Sequence, residues 1–243
     1  MRSFLLSLSQ LVFALLMYCM ATLFLGVALI PGIALVFNAW KAGIGASILT
    51  RFFFLGISLA AGYFIFGLTL LLLVGFARII LGLRLKEGNH KVFSLDTFIW
   101  AFNSTLYLLV NFTFIDFLLL TPFVNLLHRL LGAKLGENVQ INSKFVFDAS
   151  LLEIGDNTVI GGGAVVIGHI VERGILKLKK VKIGKNVTIG SNAVIMPGCE
   201  IGDNAIIGVG TVLLKNTLVA PRAVYFGVPA EPLRPKHAED KNA

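Results

Sequence analysis

One histidine stands apart in the second half of this 243-residue chain: His169, where a six-residue pattern breaks and an insertion over 169–182 begins. Imidazole titrates near pH 6.5, so at neutral pH it can take a proton from a hydroxyl or amine and return it. A base of this kind needs a carboxylate to hold its tautomer. Glu172 is nearest in sequence, and Asp148 and Glu153 lie upstream; each also reads as a solvated turn residue. Backbone N–H groups at Gly161-Gly162-Gly163 and Gly168 could steady an oxyanion, although glycine at tight corners is also purely structural. Taken alone, a histidine beside a loop is more often a surface residue. His90, His128 and His237 are weaker candidates, in a loop after an apolar run, a linker and the tail. Cys19 and Cys199 have neither metal-ligand spacing nor a disulfide framework, so no metal is expected and a reducing compartment is the plain reading.

The element that must position His169 is a repeat. Ile183, Ile189, Ile195, Ile201, Ile207, Leu213, Val219 and Tyr225 share one six-residue phase. Upstream the phase returns with slips, at Leu135, Ile141, Phe147, then Ile154, Ile160 and Ile167. This period fits neither a 3.6-residue helix nor ordinary hairpins, and it predicts short strands stacked in a β-helix with the aliphatic residue pointing inward. Asparagine, aspartate and glycine after it supply turns that accept positive φ. Pro229 to Pro235 is the expected closing segment of the open end.

The first half is of another kind. Apolar residues make up 56% of the chain and charged residues 14%, with a mean hydropathy of +0.86. That excludes both a wholly soluble globule and a disordered protein. Residues 1–132 hold eleven charged side chains against twenty-three in 133–243. Leu11 to Phe37 and Phe52 to Ile80 are each long enough to span a bilayer, which needs ~20 apolar residues. Pro31-Gly32 is expected to kink the first run or mark its exit, and Gly56, Gly62, Gly67 and Gly75 offer close packing to the second. A third stretch, Phe98 to Val124, carries Asn103, Asn111 and Asp116 and either spans or lies in the interface. Arg78, Arg84, Lys86 and Lys91 predict a cytoplasmic 78–97 loop; with two crossings, the preferred reading, the C-terminal domain faces the cytoplasm too, and with three it would face outward. The net charge of +8 suits an anionic membrane surface better than nucleic acid, for which no aromatic-interleaved basic groove is present. The expected domains are 1–130, a helical membrane region; 131–235, the β-helix; and 236–243, a polar tail.

The run IGKNVTIGSNAVIMPGCEIGDNAIIGVGTVLLKN (183–216), followed by GVPAEPLR (227–234), resembles the hexapeptide-repeat acyltransferase family. LHRLLGAKLGENVQI (127–141) after a membrane segment is similar to its membrane-tethered members. GHIVERGILKLKKVKIG (168–184) is similar to the membrane-bound C-terminal modules of certain nonribosomal peptide synthetases. The resemblance covers about 133–235 and implies a left-handed parallel β-helix with three hexapeptides per coil, usually trimeric. It implies acyl-CoA, typically acetyl-CoA, as donor substrate, and a catalytic base that maps onto His169; Glu172, by its nearness in sequence, is the first candidate to support that base. It implies a donor arm along the coils at Gly190, Ala193, Gly208 and Gly210, with Lys215 and Arg222 toward the coenzyme A phosphates. GVGTVLLKN stands where many members have a GAGSVV-type segment, which puts the detail of that donor site in doubt.

The implied function is a membrane-bound acyltransferase acting on a hydroxyl or amine of a membrane-associated acceptor: a lipid-linked sugar, polysaccharide, amine or peptide. The alternative is a non-catalytic β-helix scaffold anchored in the inner membrane. A zinc hydrolyase of the same fold would need three imidazoles per metal, and the repeat offers only His169. The basic cluster Arg173, Lys177, Lys179, Lys180, Lys182 and Lys185 reads as membrane docking, contact with an anionic acceptor, or a solvated loop, with docking preferred.

Overall fold

The computed structural model describes residues 2–233. His237 and the tail 236–243, with Arg234 and Pro235 ending the closing segment, lie outside the described residues. The chain forms two compact units, Met1–Gly82 with Phe102–Ile115, and Leu83–Ala101 with the chain from Asp116 onward.

In the first unit, α1 (Arg2–Ala42) and α2 (Ile48–Ile80) are long and predominantly apolar, and Ser47 caps α2 by accepting from the Thr50 N–H at 3.3 Å. Among the described residues, these two helices are long and apolar enough to cross a membrane, with mean hydropathies of 2.4 over Leu11–Ala42 and 2.3 over Ile48–Ile80. Pro31 does not end α1, which continues to Ala42. The neighbouring Gly32 packs on Gly62, where an added Cβ would lie 2.7 Å from the Gly62 carbonyl oxygen. Gly67 gives its space to the Phe114 ring, whereas Gly56 faces open space.

The apolar stretch 98–124 is not one helix. α3 (Leu95–Thr113) stops, a 3₁₀ turn follows at Ile115–Phe117, and α4 (Pro122–Leu130) starts afresh. Thr121 is extended at ψ 161, as a residue before proline prefers, and its side chain caps α4. Asp116, in that turn, pairs with Lys144 at 3.2 Å in the second unit.

The second unit is a stack of three-sided coils. Its strands run β2 (Lys134–Leu135), β3 (Gln140–Ile141), β4 (Leu152–Ile154), β5 (Val159–Ile160), β6 (Val165–Val166), β9 (Val181–Ile183), β10 (Thr188–Ile189), β11 (Val194–Ile195), β12 (Glu200–Ile201), β13 (Ile206–Ile207), β14 (Val212–Leu213), β15 (Leu218–Val219) and β16 (Val224–Phe226). The chain visits three parallel sheets in rotation. Ile183 pairs with Ile201 and Ile201 with Val219, three hexapeptides apart. The in-phase residues from Ile183 to Val219 are at most 4% exposed. Asn138, Asn157, Asn186, Asn192, Asn204 and Asn216 stand at positive φ, between 54° and 62°, where asparagine tolerates the left-handed turn. At the slips the inward residues are Val146 and Val166, which bridge each other, not Phe147 and Ile167. Ile160 to Val166 thus keeps the six-residue spacing, whereas Ile141 to Val146 is five and Val146 to Ile154 is eight, across the 3₁₀ turn Ala149–Leu151.

The insertion is a hairpin, β7 (His169–Glu172) and β8 (Ile175–Leu178), closed by a two-residue turn with positive φ at Arg173 and Gly174. It leaves the stack without disturbing it, since Val166 still pairs with Ile195 and Ile154 with Ile183. The Lys179 N–H donates to the Gly168 carbonyl at 2.8 Å and closes the neck. A strand from far upstream, β1 (Gly88–Lys91), adds antiparallel to the outer edge of β8. A final strand, β17 (Glu231–Pro232), folds back on β16.

Candidate active site

His169 opens β7, and its Nδ1 meets Asp148 Oδ2 at 2.6 Å. Asp148 stands at a coil corner with φ 56°, which turns its side chain into the protein, where it is 1% exposed. A buried carboxylate is costly unless its oxygens are paired. Three donors pair this one: His169 Nδ1, the Gly168 N–H to Oδ2 at 2.9 Å, and Trp100 Nε1 to Oδ1 at 2.9 Å. Gly168 permits that approach, because a Cβ there would lie 3.0 Å from the Leu151 side chain. With the carboxylate accepting, Nδ1 carries the proton and Nε2 keeps its lone pair. The imidazole stays 27% exposed. The Trp100 ring lies against it, centroid to centroid 4.8 Å, and the indole packs on buried Leu151, Leu176 and Leu178.

The carboxylate beside the imidazole is therefore Asp148, and Glu172 is engaged elsewhere. Three residues on along β7, Glu172 accepts from Lys177 at 2.7 Å and Lys215 at 2.5 Å. Hydrogen bonds from those two ammonium groups hold its carboxyl down to about 2. The register of β7 pairs His169 with Leu178 and Glu172 with Ile175, at opposite ends of the hairpin.

The residues expected to line a donor arm divide by burial. Ala193 is fully buried inside the coil and reaches no surface. Gly190 and Gly208 are required by stacking: a Cβ on Gly190 would lie 2.6 Å from the Val209 nitrogen, and one on Gly208 would enter the Phe226 ring. Gly161 is constrained in the same way by Ile189 and Ser191. Gly210 has open space around it, and Arg222 is exposed at φ 62°. Lys215 joins Lys177, Lys179, Asn89, Ile170 and Asn216 around a cavity of about 200 Å³ beside the hairpin. Four of the six basic residues of the cluster from Arg173 to Lys185 pair with carboxylates at the surface: Lys177 with Glu172, Lys180 with Glu87 and Glu153, Lys182 with Glu200 and Lys185 with Asp156.

Residues 180–215 match the family model for the bacterial transferase hexapeptide (six repeats). Over 140 residues the chain is 31% identical to YvoF, a candidate acetyltransferase of Bacillus subtilis (strain 168), covering 54% of this chain and 81% of that one. The chain belongs to the hexapeptide-repeat transferase family. It is also 35% identical over 121 residues to the galactoside O-acetyltransferase of Escherichia coli (strain K12), covering 44% of this chain and 59% of that protein. With the delta-poly-L-ornithine synthetase of Acinetobacter baumannii (strain AB307-0294) it shares 22% identity over 119 residues, 49% of this chain but 9% of that one. The chain thus spans less than two thirds of two of these three relatives.

Membership in the hexapeptide-repeat transferases implies a left-handed winding for the coils. The family pattern marks the repeat and leaves Trp100 invisible, since it lies in a helix far upstream within a stretch whose composition reads as membrane. Asp148 had a signal: an aspartate at a coil corner, one turn of the stack before His169.

Proposed function

We propose that this protein is a membrane-bound acyltransferase that moves an acyl group, in the first instance acetyl, from acyl-coenzyme A to a hydroxyl or amine of a membrane-associated acceptor. The observation that carries this reading is the 2.6 Å bond from His169 Nδ1 to buried Asp148, which leaves Nε2 as a base at the opening of the hairpin. Nε2 takes the proton of the acceptor as its oxygen or nitrogen attacks the thioester carbonyl carbon. The carbon–sulfur bond then breaks, and the imidazolium returns the proton to the departing sulfur, giving free coenzyme A thiol. Asp148 holds the tautomer and stabilises the transient imidazolium without taking the proton. The acetyltransferase names of two relatives support the reaction class.

Further parts of the reading rest on residue chemistry. Lys215 and Arg222 are proposed to meet donor phosphates, with Gly210 leaving room for the pantetheine arm. The helices α1 and α2 are proposed to cross the cytoplasmic membrane among its lipids, with the coils on the cytoplasmic side where acyl-coenzyme A is found. The coils are proposed to assemble as a homotrimer. The test of the reaction is thiol release by the full chain in detergent, with several acyl-coenzyme A donors and a membrane extract as acceptor source. Release that requires extract and is abolished in His169→Ala supports the proposal. Equal release by His169→Ala would place the base on another residue, and none with any donor returns the chain to a scaffold role.

A further inference from the structure

We infer that Trp100, from the helical segment upstream of the repeat, is a positioning residue that fixes the plane of the Asp148 carboxylate and through it the His169 tautomer. This deepens the acyl-transfer reading and rests on it for the consequence in turnover, but not for the geometry. Both bonds from the coil side, from His169 Nδ1 and the Gly168 N–H, converge on a single oxygen, Oδ2. Two donors on one oxygen do not fix a carboxylate, because rotation about its terminal torsion is soft. The second oxygen, Oδ1, takes its bond from Trp100 Nε1 at 2.9 Å. At 1% exposure Asp148 is closed to bulk water, so without the indole Oδ1 is left unpaired and the carboxylate turns toward any other donor.

The indole is itself held. It packs with Leu85 on the cluster of Leu151, Leu176 and Leu178, two of which belong to β8. The same upstream segment pairs β1 with β8 from Gly88–Leu178 to Lys91–Ile175, and Glu87 accepts from the Lys180 N–H at 2.9 Å. The hairpin that carries His169 is thereby bracketed between its own coil and residues 85–100. The coils supply the base and the carboxylate; the segment before α4 supplies the group that aims them.

Trp100→Phe tests this directly, since phenylalanine retains an aromatic ring against His169 and the leucine cluster and removes only the N–H donor and the second ring. In full-length protein carrying ¹⁵N-histidine in detergent, with His169 signals assigned from His169→Gln, the wild type is expected to hold the Nδ1–H tautomer. Trp100→Phe is expected to shift His169 to a mixture of both tautomers. An unchanged tautomer overturns the proposal, whatever the enzyme acts on. In turnover, Trp100→Phe is expected to lower kcat about tenfold at unchanged donor KM. In an Asp148→Asn background the same change should add less than about twofold, because both substitutions act through one carboxylate. Full additivity, or a loss seen in KM and thermal stability alone, reduces Trp100 to packing and sinks the inference. If His169→Gln leaves transfer intact, the assignment of His169 as the base fails while the tautomer measurement still decides whether Trp100 orients the imidazole.

Discussion

His169→Ala removes the nitrogen that would take the acceptor's proton, and positioned general bases contribute ~10²–10⁴-fold. Turnover should fall by that order while donor affinity, measured by calorimetry, stays within about twofold. The two carboxylates near the base are expected to behave differently. Asp148→Asn keeps the size of the side chain but offers an amide to the imidazole, favouring the wrong tautomer, so its loss should approach that of His169→Ala. Glu172→Gln breaks ion pairs to Lys177 and Lys215 at the far end of the hairpin and should change turnover less than threefold, a difference steady-state rates would reveal. Because the two lysines depress the Glu172 pKa from 4.5 to about 2, their pairing is present above pH 4.5 and fades as pH falls toward 2. It therefore adds no pH dependence near neutrality, and any acid limb of activity above pH 5 must come from elsewhere.

Among the elements, α4 carries a titrating group of its own. His128 is fully buried, and burial lowers its pKa from 6.5 to about 4. Between those values the unfolded chain binds a proton that the folded chain does not, so stability is complete above pH 6.5 and lost as pH falls toward 4. At about 1.4 kcal/mol per unit, the loss is about 3 kcal/mol. Thermal melts from pH 7 to 4 should show the steeper decline in wild type, and His128→Gln should flatten it; parallel curves would contradict the assignment. In the helical unit, Gly67→Leu would drive a side chain into the space filled by the Phe114 ring. Overpacking of this kind costs about 1–3 kcal/mol. Gly56→Leu, on an open helix face, should leave the melting temperature unchanged or slightly raised.

At the scale of the whole molecule, the proposed topology and assembly can be separated from the chemistry. Membrane-impermeant thiol labelling of cells, in a background free of Cys19 and Cys199, should modify Lys41→Cys and spare Lys215→Cys until the membrane is opened. Labelling of Lys215→Cys in intact cells would put the coils outside, away from the cytosolic donor. Mass measurement of the detergent complex is expected to give three protein chains, and a monomer would rule out a donor site shared between subunits.

The hexapeptide phase was legible from Ile183 to Val219 because each inward position there is filled by one aliphatic residue, whereas upstream it ran one residue off at Phe147 and Ile167. The two long helices were legible for a similar reason, since a run that is apolar on all sides has few other solutions. His169 stood out as the imidazole at the point where the repeat breaks, and its role as a base was implied only by the family resemblance. Its partners did not follow. Glu172 is three residues away along the chain, but the register of β7 and β8 carries it to the opposite end of the hairpin and into the reach of Lys177 and Lys215. Asp148 and Trp100 are 21 and 69 residues from His169 in sequence, yet the coil stack and the packing of the upstream segment bring both against it. Periodicity is local and survives in one dimension. The pairing of a buried carboxylate depends on which donors the fold delivers to a single point, and only the tertiary structure decides that.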